Sequence, residues 1–145
     1  MRQKELAALV EPAEALFIDA QLESELAELS SGDRSEMLDE AGLAEPGLNA
    51  VIRAAYRTLG LQSYLTGGDK ETRAWTIRQG ATAPEAAGAI HSDFQKGFIA
   101  AEVVDYDELV EAGSWQEARS RGLIRTEGRS YAMKPNDVVE FRFNV

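Results

Sequence analysis

The 145-residue chain has no cysteine and a single histidine, His91. Disulfide frameworks, thiolate zinc sites, iron–sulfur clusters and cysteine nucleophiles are therefore excluded, and a reducing compartment is permitted. Multi-histidine metal sites fall with the same count. No apolar run approaches the ~18 residues of a membrane span, and the N-terminus lacks the basic-then-apolar order of a signal peptide. The sequence predicts a soluble chain without membrane contact. Basic residues are also scarce: 15 Lys+Arg stand against 25 Asp+Glu, for a net charge of −10. Phosphate affinity comes from counterion release at Lys and Arg, so any RNA contact has to be a local patch. The deficit is uneven, with 5 basic and 12 acidic groups in residues 1–60 and 10 and 13 in residues 61–145.

Helical patterns dominate the first part. Met1 to Val10 is rich in helix formers and Pro12 closes it. Ala15-Leu16-Phe17-Ile18 is a short unbroken apolar run, the pattern of a strand buried on both faces. Leu22, Leu26 and Leu29 repeat at helical spacing, and Asp33 with Glu36 has the spacing of a capping box that opens a helix ended by Gly42. Pro46-Gly47 opens another, where Leu48, Val51, Ile52, Ala55 and Leu59 form one apolar stripe ending at Gly60. Past Gly60 the period becomes alternating. Strands are predicted at Leu61–Thr66 and Thr72–Arg78 around a Gly67-Gly68-Asp69 turn, with Trp75 and Ile77 on one face. Thr82 and Glu85 form a second capping box, opening a helix to about Phe94. A third strand is predicted at Phe98–Tyr106, and a helix at Asp107–Arg121 broken at Gly113. Strands at Arg129–Met133 and Val138–Asn144 complete the order. This β-β-α-β-(α)-β-β order implies an α+β design, a small mixed sheet with a helix across one face, close to a ubiquitin-like β-grasp.

Catalytic signatures are missing. Gly67-Gly68-Asp69-Lys70-Glu71-Thr72 lacks Walker A spacing, and neither G-x-S-x-G nor H-E-x-x-H occurs. His91 beside Asp93 reads as a helix-end histidine, and the carboxylate runs lack an EF-hand glycine. No catalytic residue or metal ligand is predicted. One cluster stands out in this acidic chain: Lys70, Arg73, Trp75, Arg78, Lys96 and Phe98 interleave basic and aromatic groups, as a surface that stacks bases and holds phosphates does. Ordinary solvated charge around a buried Trp75 and Phe98 gives the same pattern, and both readings stay open.

Four strings carry a family resemblance: Leu61-Gln62-Ser63-Tyr64-Leu65-Thr66-Gly67-Gly68, Thr72-Arg73-Ala74-Trp75-Thr76-Ile77, Ala86 through Ile99 (AAGAIHSDFQKGFI), and Phe141-Arg142-Phe143-Asn144-Val145. Together they resemble the C-terminus of the YchF or Obg-like ATPases, a β-grasp module called the TGS domain. Ile18 through Leu26 and Gly47 through Tyr56 are similar to the last strand and helices of that family's nucleotide-binding domain. The resemblance implies a TGS domain at 61–145, preceded at 1–60 by an incomplete, mostly helical tail of a P-loop domain with one remaining strand.

For function, the resemblance implies a docking or regulatory module of a cytoplasmic, ribosome-associated ATPase. The full-length family uses ATP, with GTP as the weaker alternative, and Mg. The family's P-loop, switch regions and adenine-selective motif lie upstream of the matching segment, so this chain is expected to hold no cofactor and to catalyse nothing itself. A residual base contact would fall on Asp19, Ala20 and Gln21, where Asp19 replaces a small residue. Lys70, Arg73, Arg78 and Lys96 are the expected ribosome or rRNA contacts; Ala100 replaces an arginine common in the family. The unpaired strand at 15–18 offers a route to self-association. The competing reading is a β-grasp protein–protein adaptor without RNA binding.

Overall fold

The computed structural model describes residues 2–67 and 71–144. The chain divides into two compact units, Met1–Leu59 and Gly60–Val145.

The first unit holds four helices: α1 (Arg2–Val10), α2 (Ala20–Glu28), α3 (Ser31–Glu40) and α4 (Gly47–Leu59). Asp19 caps α2, its Oδ1 accepting from the Gln21 and Leu22 amides at 3.0 and 3.2 Å. The cap of α3 is Ser30, three residues before the expected Asp33: the Asp33 amide donates to Ser30 Oγ. Asp33 instead takes the acidic place of that box, accepting from the Ser30 hydroxyl at 2.6 Å. Glu23 reaches from α2 to the first turn of α4 and accepts from the Gly47 amide at 2.6 Å. A Cβ on Gly47 would stand 3.0 Å from that carboxylate, so glycine is what permits the close approach.

One expectation fails in this unit. Ala15–Ile18 forms no strand; residues 14–19 carry no regular structure, and Leu16, Phe17 and Ile18 are 39%, 44% and 48% exposed. An apolar run becomes an inner strand only with ladder partners on its edges, and none of the described strands pairs with it. The expected helix at α4 is present, and Leu48, Val51, Ile52 and Leu59 are exposed, so its apolar stripe lies open.

The second unit is α+β. Strands β1 (Leu61–Gly67), β2 (Thr72–Arg78), β3 (Phe98–Asp105), β4 (Arg125–Glu127) and β5 (Asp137–Phe143) form one mixed sheet in the order β2-β1-β5-β3-β4. β1 and β5 run parallel and the other neighbours antiparallel. Helices α5 (Ala83–Ile90) and α6 (Ser92–Lys96) replace the single predicted helix, because His91 adopts an extended backbone, with φ −158° and ψ 142°, and caps both. Helices α7 (Tyr106–Ala112) and α8 (Trp115–Ser120) are separated at Gly113, whose φ of 80° suits glycine.

The sheet is covered on both faces. Tyr64, Ile77, Ala101, Val103 and Val139 meet Ala83, Ala86 and Ala87 of α5, and the Tyr64 hydroxyl donates to the Ala86 carbonyl at 2.8 Å. Val104 and Val138 on the other face pack with Ala112 and Ala118 of α7 and α8. The predicted strand at Arg129–Met133 is absent: that segment makes one bridge, Ala132 to Thr82, because its neighbour is the 81–83 loop and not a strand. The short polar β4 takes the sheet edge beside β3.

Candidate functional site

Alternation along β2 decides where the basic groups go. Arg73 shares a face with Trp75 and Ile77, the face that α5 covers, while Arg78 falls on the opposite one. The Arg73 guanidinium carbon lies 4.3 Å from the Trp75 ring centroid, a cation–π contact. Trp75 is half-buried, and its indole nitrogen donates to Thr66 Oγ1 at 2.9 Å. Thr66 pairs with Arg73 across the hairpin. The ring is thus locked in its plane and the cation held above it, with Arg73 exposed.

Lys96 ends α6 with its side chain 79% exposed, its ammonium 3.7 Å from Asp93. The adjacent Gly97 carbonyl accepts from the Asn144 amide at 2.9 Å, which fixes Lys96 at the Phe143 end of β5. Arg73 lies at the Val138 end, beside the Leu65–Val138 pair. Five residues of strand, about 17 Å at 3.4 Å each, separate the two. The structure therefore does not bring Arg73, Arg78 and Lys96 into one patch. Lys70 lies outside the described residues.

Phe98 is only 5% exposed and belongs to the core, so its stacking role is withdrawn. Above it stands Arg129, which the sequence reading missed: its guanidinium is 5.7 Å from the Phe98 ring and donates to the Phe98 carbonyl at 3.0 Å. Ala100 pairs with Arg142 next to Glu102, on the face away from Arg73. Arg78 lines a cleft of about 450 Å³ with Ile77, Glu85 and Ala89. The Thr82 amide and hydroxyl donate to Glu85 at 2.7 and 2.8 Å, and those bonds hold its carboxyl below the usual range.

The other candidates are spent on local structure. His91 Nδ1 accepts from the Asp93 amide at 3.2 Å, so the ring acts as a helix cap. Asp19 caps α2, Ala20 opens that helix, and the Gln21 side-chain Nε2 donates to Glu25 at 2.9 Å. Among the described residues no group of three or more His, Asp or Glu is placed to hold a metal ion, and no helix is long and apolar enough to cross a membrane.

The second unit is thus a five-stranded α+β fold whose exposed Arg73 lies over a half-buried tryptophan. Residues 61–144 match the family described as YchF-GTPase_C, a protein of unknown function (DUF933). The chain belongs to the YchF family, of which it carries the C-terminal part. It is 47% identical over 135 residues to the "Ribosome-binding ATPase YchF" of Bacillus subtilis, covering 93% of this chain and 37% of that protein. It is 44% identical over 123 residues to "Obg-like ATPase 1" of Pongo abelii, covering 85% of this chain and 31% of the relative. The solved Schizosaccharomyces pombe YchF GTPase superposes with a TM-score of 0.82 at 30% identity, covering 97% of this chain and 37% of that one. The chain thus spans about a third of the length of these relatives.

Proposed function

We propose that this chain docks a YchF-type ATPase onto the ribosome, with Gly60–Val145 acting as a β-grasp TGS module. The observation that carries this reading is the Arg73–Trp75 pair, a cation on a half-buried indole in an otherwise acidic chain. Arg73 and Lys96 contact rRNA phosphates at two separate points, Arg78 adds charge from the other face, and Lys70 belongs to the same hairpin as Arg73. The relatives named ribosome-binding ATPases support the partner.

The first unit is read as the tail of a P-loop nucleotide domain. Its open stripe at Leu48, Val51, Ile52 and Leu59 supports this, since exposed apolar surface of that kind marks a missing neighbour. Hydrolysis of ATP with Mg belongs to the longer protein, which is cytoplasmic; this chain does not catalyse it. Titration calorimetry tests that part, and a nucleotide dissociation constant below about 100 µM contradicts it. For docking, the test is co-sedimentation with ribosomes at low and moderate salt. Reversing Lys70, Arg73 and Lys96 to Glu is expected to abolish a salt-sensitive interaction; undiminished binding refutes the docking face.

A further inference from the structure

The two edges of the sheet are unlike. β4 ends it on one side with three polar residues, a length too short to invite another strand. β2 ends it on the other with seven, Thr72–Arg78, in unbroken register with β1 and without proline. The Gln79 amide donates to the Gly60 carbonyl at 2.8 Å, which sets the phase of that ladder. Arg73, Trp75 and Ile77 then bond to β1, while the amides and carbonyls of Ala74 and Arg78 point away from the sheet. The Arg78 carbonyl accepts from the Ala81 amide at 3.1 Å; among the described residues the Ala74 amide and carbonyl and the Arg78 amide have no partner.

A groove lies beside this edge. It is the cleft of about 450 Å³ at the Arg78 end of β2, lined by Ile77 and Ala81 and, from α5, by Ala89. Glu85 also lines it, but its carboxylate is committed to the Thr82 amide and hydroxyl. Charge along the strand has one sign. Arg73 and Arg78 are exposed on opposite faces, five positions apart, and among the described residues neither forms an ion pair. A strand laid along β2 would meet open backbone groups, an apolar groove on the α5 face and a cation near each end.

We propose that β2 takes up an extended segment of another protein as a sixth, antiparallel strand, with one acidic residue opposite Arg78, apolar residues opposite Ile77 and Trp75, and a second acidic residue opposite Arg73. Two carboxylates five positions apart fall on opposite faces of their strand, as the arginines do of theirs, and opposite charges across a strand pair attract. Ala74 exchanges two hydrogen bonds with the residue facing it and the Arg78 amide donates a third, the mode by which an exposed sheet edge captures a peptide. RNA phosphates suit the arginines but leave the Ala74 carbonyl facing an anion. A second copy of the chain, at net −10, is repelled. Strand capture does not rest on ribosomal docking: both use the arginines, but only a strand uses the Ala74 backbone.

The probe is a fluorescein-labelled peptide with the core Glu-Ile-Thr-Val-Thr-Asp, titrated into the full chain without ribosomes and followed by anisotropy. Replacing Ile and Val by serine, or both acids by lysine, should weaken binding at least ten-fold. Ala74→Pro removes an outward amide that the β1 ladder does not use, and should weaken it at least ten-fold. Ala89→Glu, at an exposed position of α5, should do the same by repelling the acidic strand, while Ala74→Val should preserve binding. Melting curves confirm that each variant folds. In the saturated complex the Ala74 and Arg78 amides should exchange with deuterium at least ten-fold more slowly. Absence of binding, equal binding of the serine peptide, normal binding by folded Ala74→Pro, or binding without protection of those two amides overturns the proposal. So does displacement by a single-stranded RNA 20-mer at equal concentration, which makes RNA the occupant, or a dimer of the chain alone that Ala74→Pro dissolves, which makes it a second copy.

Discussion

The carbonyl oxygen of Asn144 occupies the space that a Cβ on Gly97 would need, only 1.9 Å from its ideal position. Gly97 has an ordinary backbone, with φ −86°, so close approach and not conformation is what requires glycine here. The contact closes β5 against the start of β3, because the Asn144 amide donates to the Gly97 carbonyl. Gly97→Ala is expected to cost about 3 kcal/mol or more, since backbone has to shift to admit the methyl. Gly128→Ala, where nothing lies within 4 Å, should cost far less in the same denaturant titration.

Glu102 is a buried carboxylate, 5% exposed, held between the exposed guanidinium groups of Arg119 and Arg142. Each arginine holds one of its two oxygens, so with either one removed the charge is still paired. Arg119→Ala or Arg142→Ala should therefore cost about 1 kcal/mol or less. The double variant leaves a buried charge unpaired and should cost about 3–5 kcal/mol, well beyond additivity. Urea unfolding of the four proteins in this cycle checks it; additive losses would contradict the shared role.

Tyr131 donates its hydroxyl to Asp137 at 2.9 Å. Burial, and then that carboxylate, push its pKa up to about 12. A phenol whose pKa is raised on folding contributes fully below its unfolded value of about 10 and loses that contribution as pH rises toward the folded value. Stability should accordingly fall between pH 10 and pH 12, and the fall should be shallower in Tyr131→Phe. Parallel slopes would contradict the assignment.

Much of the second unit was legible because alternation survives wherever one strand face is buried, as in Trp75 and Ile77 or in Val139 and Phe141. The same rule misled at Arg129–Met133. Met133 is buried and Tyr131 partly so, but the partner is a loop, and β4 with Arg125-Thr126-Glu127 has no apolar signal at all. The Arg73–Trp75 pair could be foreseen from a spacing of two, whereas Arg129 reaches Phe98 across 31 positions that no local pattern connects.

Ala15–Ile18 shows what composition cannot supply, namely neighbours. The backbone amides of Leu16, Phe17 and Ile18 should exchange with deuterium far faster than those of Trp75 or Phe141. Equal protection in the monomeric chain would mean that the segment has found a strand partner.

The most direct test of the docking account uses the absence of cysteine. Glu71→Cys places one unique thiol on the exposed residue two positions before Arg73 without touching the Arg73–Trp75 pair. Labelled with benzophenone, mixed with purified ribosomes and irradiated, this chain is predicted to cross-link to rRNA, and the cross-link should disappear when Arg73→Glu is added. Ribosome binding with no rRNA cross-link from position 71, or a cross-link indifferent to Arg73→Glu, would contradict an RNA-facing hairpin.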